Sequence, residues 1–201
     1  MLTGIDVHRE LAAADSREGD FELCTLRSGA RAVRHIGHGE VMHPAGGPWE
    51  EANRLYVEQS QLADRLRAAS QPVCVFDIGL GAATNAVAAL ACAQKVGGAL
   101  ELHSFELDLA PLRLALRDPA GFPFLAEYRQ AALSLIATGQ WEQQGVRWVL
   151  HRGDVLTCLA AAPPRAQADR APLSLMQQRL WFLEQLEPGR VTYNTPSAHR
   201  L

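Results

Sequence analysis

The stretch Val73-Cys74-Val75-Phe76-Asp77-Ile78-Gly79-Leu80-Gly81-Ala82-Ala83-Thr84-Asn85, continued by Leu100-Glu101-Leu102-His103-Ser104-Phe105-Glu106, decides the fold. Residues 73–78 form an apolar, β-branched run that reads as a buried strand and carries one acid, Asp77. A Gly-x-Gly turn follows, then a helical pattern over residues 83–95 and a second strand run over 99–105 ending on Glu106. Glycines let the backbone turn tightly and approach a ligand, and a carboxylate closing the second strand suits a ribose diol. The full dinucleotide fingerprint Gly-x-Gly-x-x-Gly is not met, because its third glycine would fall at Thr84. The pattern is closer to an Asp/Glu-x-Gly-x-Gly turn.

Outward from this unit the chain alternates. Residues 146–151 form a third strand run, followed by Gly153-Asp154 and a short helix over 155–161. Residues 108–117 and 124–138 read as helices, the second stopped at Gly139. Strands alternating with helices imply parallel βαβ units with right-handed crossovers. Upstream, residues 50–69 have apolar positions at three- and four-residue spacing (Ala52, Leu55, Tyr56, Leu62, Ala63, Leu66, Ala69) and predict one helix. Pro48 lies near its start, with Glu50 and Glu51 in the first turn. Residues 21–26 and 32–36 flank Ser28-Gly29-Ala30 and predict a β-hairpin. Between hairpin and helix, residues 37–48 form a loop rich in glycine and proline, with His38 and His43. Residues 1–19 are polar and read as a flexible lead-in.

With 201 residues, 48% hydrophobic and 20% charged, the chain has the composition of a globular domain. Its net charge is −3 and its pI about 6.2, so a grip on nucleic acid would need a local basic patch. Arg27, Arg31, Arg34, His35 and His38 are the candidate, the alternative being a solvated hairpin face. The cysteines, Cys24, Cys74, Cys92 and Cys158, are widely spaced with no Cys-x-x-Cys pair. Cys74 and Cys92 read as small hydrophobes, and neither disulfides nor a metal site is expected. No apolar signal core or membrane-length run is visible, so the expected location is cytoplasmic.

Further motifs carry a family resemblance. Gly39-Glu40-Val41-Met42-His43-Pro44, Gly47-Pro48-Trp49-Glu50-Glu51-Ala52, Tyr56-Val57-Glu58 and Phe76-Asp77-Ile78-Gly79-Leu80-Gly81-Ala82-Ala83-Thr84-Asn85, with Ser104-Phe105-Glu106, resemble the MnmC-like methyltransferases over about residues 20–169. The resemblance implies methylation of the aminomethyl group on a tRNA wobble uridine, with S-adenosyl-L-methionine as cofactor. It implies an α/β, Rossmann-like methyltransferase fold with an N-terminal β-hairpin. Asp77, Gly79, Gly81 and Asn85 would hold the methionine end, Glu106 the ribose hydroxyls, and Asp154 the adenine amino group. Each acid has an ordinary alternative: Asp77 and Asp154 as helix caps, Glu106 as a strand-end acid.

The chain departs from that family after its third strand. The fourth should begin near Ala168-Asp169 and end in an Asp-x-Phe-x-Pro motif held to carry catalysis; no such motif occurs anywhere in the sequence. Residues 163–172 are instead alanine- and proline-rich, like a linker. Beyond them, Leu173-Ser174-Leu175-Met176-Gln177-Gln178-Arg179-Leu180-Trp181-Phe182-Leu183-Glu184-Gln185-Leu186 predicts a helix. With Tyr193-Asn194-Thr195-Pro196 it resembles the opening of a condensation domain of nonribosomal peptide synthetases, covering residues 172–201. The His-His-x-x-x-Asp-Gly motif of such domains is missing, since no two histidines are adjacent.

The expected organisation is a lead-in (1–19), a partial methyltransferase domain (20–162) truncated after the third parallel strand, a linker (163–172) and a condensation-domain fragment (173–201) as a helical extension. A gene fusion, a truncated reading frame or an assembly artefact would each produce it. The expected function is an impaired S-adenosylmethionine-dependent tRNA methyltransferase. The alternative is a non-catalytic fragment of a peptide synthetase, with a carrier protein as partner through residues 173–201. No membrane partner is expected.

Overall fold

A computed structural model describes residues 16–39, 41 and 47–161. His43, the linker at 163–172, and the helix and condensation-domain fragment expected at 173–201 lie outside the described residues.

The first described elements form a three-stranded antiparallel sheet, β1 (Arg17–Glu18), β2 (Phe21–Thr25) and β3 (Arg31–His35), in that order. The expected hairpin is β2–β3. Gly29, at φ 84°, makes the turn, and Leu26 exchanges backbone hydrogen bonds with Gly29 and Ala30. Arg17–Glu18, which the sequence placed in the lead-in, pairs with β2 through Arg17↔Glu22 and Glu18↔Phe21. Two polar residues carry no alternation, so only the pairing reveals this strand.

The second sheet has the order β4 (Val73–Ile78), β5 (Leu100–Glu106), β7 (Val146–Arg152), β6 (Gln140–Gln143). β4, β5 and β7 are the three expected strands and run parallel; β6 is antiparallel to β7. β6 was not legible in the sequence, because Gln140-Trp141-Glu142-Gln143 has one apolar residue and no period. A two-residue turn, Gln144–Gly145, joins it to β7, both residues at positive φ.

All steps from β4 to β5 to β7 go one way, so right-handed crossovers bring the connecting helices to a single face. These helices are α3 (Thr84–Val96), α4 (Ala110–Arg117) and α5 (Arg129–Thr138). Strand parity then sorts the residues. The rows Val73↔Leu100↔Val146 and Val75↔Leu102↔Trp148 pack with Ala86, Val87, Leu90 and Ala93 of α3 in the main core. The opposite face carries Cys74, Phe76 and Ile78, and Phe76 and Ile78 remain 47% and 43% exposed. Cys74, read as a small buried hydrophobe, is exposed there.

The helix expected over 50–69 is interrupted. α1 (Pro48–Glu51) runs into a π-helical segment (Ala52–Glu58), and α2 (Leu62–Ala68) restarts after Gln61, whose φ is 55°. A π turn inserts one residue into the 3.6 period, which apolar spacing cannot register. Ala52, Leu62 and Leu66 are buried as expected, but Tyr56 is half exposed. The helix expected over 124–138 begins instead as a 3₁₀ turn (Pro123–Leu125), and α5 starts at Arg129. The last described helix is α6 (Val155–Ala161). No helix among the described residues is long and apolar enough to cross a membrane.

Candidate functional site

The site is built where β4 and β5 end. Past Ile78 the chain turns through Gly79 (φ 81°) and Gly81 (φ 53°), and the Gly79 N–H donates to the Phe105 carbonyl at 3.0 Å. A Cβ on Gly79 would meet nothing within 4 Å, so glycine is required there by its backbone angle and not by crowding. Ala83 (φ 63°) then places Thr84 as the first residue of α3. A non-glycine residue in this region is strained, and such strain concentrates at ligand-binding turns.

Glu106 closes the turn from the neighbouring strand. Its Oε2 accepts the Gly81 N–H at 2.9 Å, and its Oε1 accepts from the N–H groups of Leu107 (2.7 Å) and Asp108 (3.2 Å). A carboxylate has about four lone-pair positions, so roughly one remains for a hydroxyl. The side chain thereby bridges β5 to the glycine turn.

Asp77 lies on the covered sheet face. Its Oδ2 accepts from Ser104 Oγ at 2.8 Å, and Ser104 Oγ in turn accepts from Trp148 Nε1 at 2.9 Å. Burial pushes the Asp77 carboxyl up to about 7; the Ser104 bond opposes this and the Glu106 charge adds to it. Asp77 does not cap α3, whose start shows no side-chain cap. The Tyr56 phenol on the π segment is also raised, by burial first and then by the charges of Glu51 and Asp77, against a hydrogen bond from Asn85.

Two polar atoms at the start of α3, Thr84 Oγ1 and Asn85 Oδ1, are buried with no partner among the described residues. A buried carbonyl oxygen and a buried hydroxyl left without partners beside a glycine turn are what a polar ligand would satisfy. These two atoms and the lone pair left on Glu106 offer a polar ligand hydrogen-bonding positions around the turn.

Asp154 is placed differently. It is exposed, and its Oδ1 accepts from the Thr157 N–H (3.1 Å) and hydroxyl (3.3 Å) as a cap on α6. The structure gives it the capping geometry that the sequence had left open. His38 contacts the His35 ring at a 4.4 Å centroid distance and is exposed. The sequence did not mark Tyr56, Ser104 or Trp148 as site residues. Ser104 carried a weak signal, being two residues before Glu106 and hence on the face opposite Phe105.

The basic patch on the hairpin is largely neutralised. Arg31 pairs with Asp118 at 2.9 Å, while Arg17 and Arg34 both pair with the buried Glu22. Glu18 takes Arg113 and Arg117 from α4, tying β1 to that helix. Arg27 is exposed. Among the described residues no cluster of three or more His, Cys, Asp or Glu side chains could hold a metal.

No protein-family model matches the chain. A short stretch is similar to nonribosomal peptide synthetases. One is phosphinothricin tripeptide synthetase PhsC of Streptomyces viridochromogenes, 52% identical over 42 residues, which are 20% of this chain and 4% of the relative. Another is the probable non-canonical synthetase CymA of Salinispora arenicola, 54% identical over 41 residues, or 20% of this chain. A third, a linear gramicidin synthase of Brevibacillus parabrevis, is 49% identical over 47 residues, which are 22% of this chain and 1% of the relative. The chain spans at most 4% of the length of these three relatives. By structure it is similar to the crystal structure of MnmC2 from Aquifex aeolicus, with a TM-score of 0.54 and 19% identity, covering 82% of this chain and 54% of that one. The chain therefore combines a fold similar to that of MnmC2 with a segment similar to nonribosomal peptide synthetases.

Proposed function

We propose that residues 20–162 form an S-adenosylmethionine-dependent methyltransferase domain of the tRNA wobble-uridine-modifying type, impaired because its fourth strand and Asp-x-Phe-x-Pro segment are missing. The observation that carries this reading is the Glu106 carboxylate held on the Gly81 N–H at the joint end of β4 and β5. Asp77, Gly79, Gly81 and Asn85 hold the methionine end; Glu106 offers its remaining lone pair to the ribose. Asp154 caps α6 through Oδ1, which leaves Oδ2 for the adenine amino group. When bound, the cofactor supplies the methyl group. The chain's own part in the rate is positioning, since a bound amine held in line loses little further entropy on reaction. None of the described residues is assigned as the base for that amine. The paired hairpin arginines leave tRNA as a partner by family likeness more than by charge.

The peptide synthetase matches favour a second reading, in which the chain is a non-catalytic fragment of such an assembly line and residues 173–201 contact a carrier protein after the linker at 163–172.

Calorimetry of S-adenosylmethionine binding separates the readings. We expect saturable binding that Gly79→Val and Glu106→Ala abolish, and no association with a carrier domain. A folded sample that binds no cofactor but retains a carrier protein would overturn the first reading in favour of the second.

A further inference from the structure

We infer that ligand binding at the glycine turn is coupled to the release of a proton from Asp77, which serves as the site's counter-charge for a cationic ligand. This rests on reading the turn as a cofactor site and adds a regulation of it by pH.

The geometry leaves Asp77 poorly supported as an anion. An ionised carboxylate accepts about four hydrogen bonds, and the one donor given to it among the described residues is the Ser104 hydroxyl. That hydroxyl has a single proton, already committed to Asp77, and its lone pair takes the Trp148 indole N–H. No Lys, Arg or His among the described residues pairs with Asp77. The titratable groups around it are acids or weak acids: Glu106 from β5, Tyr56 from the π segment, and Glu51 from α1, which acts on Tyr56. From α3 and β7 come the neutral Asn85 and Trp148.

Of the two atoms without partners at the start of α3, Asn85 Oδ1 is an acceptor and the Thr84 hydroxyl can donate or accept. The groups around Asp77 among the described residues are thus mostly acids and neutral polar groups and include no cation. A half-buried carboxyl in such surroundings keeps its proton well above the ordinary carboxylate range and is half ionised near neutrality, in keeping with its raised value of about 7. A ligand bringing an ammonium or sulfonium charge provides the missing positive charge. The Asp77 O–H bond then breaks, its electron pair remains on the carboxylate, and the proton leaves to the buffer.

The test is titration calorimetry of the full chain with S-adenosylmethionine, in buffers of differing ionisation enthalpy, across about pH 5 to 7, below the range in which the ligand's own amine titrates. About half a proton should be released near pH 7 and nearly one at about pH 6 and below, with affinity falling nearly tenfold per unit at the acid end. Glu106→Gln removes a neighbouring negative charge and should move the midpoint down; Ser104→Ala removes the opposing hydrogen bond and should move it up. Asp77→Asn should bind, if at all, without buffer-dependent heat. S-adenosylhomocysteine, which lacks the sulfonium, releases the same proton if the ammonium is the recognised cation, and less if the sulfonium is. Binding without buffer-dependent heat in the unsubstituted chain overturns the coupling and leaves the cofactor reading standing. Absence of binding in a folded sample overturns both.

Discussion

At the scale of single residues, Asp77 makes a prediction that needs no ligand. A carboxyl whose value is raised on folding holds its proton more tightly in the folded chain than in the unfolded one. Its contribution to stability is complete below the ordinary value of 3.8 and disappears as pH rises through about 7. Melting temperature should therefore fall between about pH 5 and pH 8, and Asp77→Asn should flatten that part of the profile. A profile unchanged by the substitution would show that the carboxyl is not buried as described. The glycine turn and Glu106 were legible in the sequence because a positive φ and a strand-end acid are local demands. Ser104 and Trp148 were not, since they meet Asp77 and each other across 27 and 44 residues and are ordinary strand residues when read singly.

At the scale of elements, the β6–β7 hairpin offers the cleanest test. Its two-residue turn has Gln144 at φ 50° and Gly145 at φ 79°, the pattern of a turn that favours asparagine before glycine. Gln144 is exposed and gives no packing that a shorter side chain would lose. Gln144→Asn should stabilise the chain by about 0.5–1 kcal/mol, relieving part of the left-handed strain. Chemical denaturation would read this as a higher midpoint at unchanged slope; no shift would mean the turn is not formed. The same hairpin shows why edge elements escape sequence reading. Gln140-Trp141-Glu142-Gln143 is polar because it borders the sheet, and polarity without alternation looks like loop. The helix at 50–69 shows the converse case. Its apolar spacing was sound at Ala52, Leu62 and Leu66, yet the π turn re-aimed Tyr56 from the core toward Asn85.

At the scale of the whole molecule, the described helices cover one face of the sheet, and on the other Phe105 is buried while Phe76 and Ile78 are about half exposed. Among the described residues β4 has no strand on its outer side. Parallel sheets ordinarily have both faces covered, and an unguarded apolar edge strand invites association. The pairs Phe76–Phe105 and Phe105–His151, at 5.7 and 4.7 Å, fill part of that face with rings from three strands. We expect a cooperative melt below about 60 °C, the upper part of the mesophile range, and concentration-dependent association in light scattering. Phe76→Lys should reduce the association without lowering the melt by more than a few degrees. A monomer at high concentration that melts well above that range would sink the picture of an incompletely covered sheet.

The sequence alone determined the strand–turn–helix–strand unit, the three parallel strands, the β-hairpin and the change of character after residue 162. Each of these is written in neighbouring residues, as periodicity, a required backbone angle or a contiguous motif. The tertiary structure alone decided the strand order, the exposed face, the neutralisation of Arg31 and Arg34 by Asp118 and Glu22, the cap made by Asp154 and the raised Asp77 carboxyl. Charge and protonation depend on which groups meet through space and how much water they lose. Those neighbours are set by the packing of distant segments, which no local pattern records.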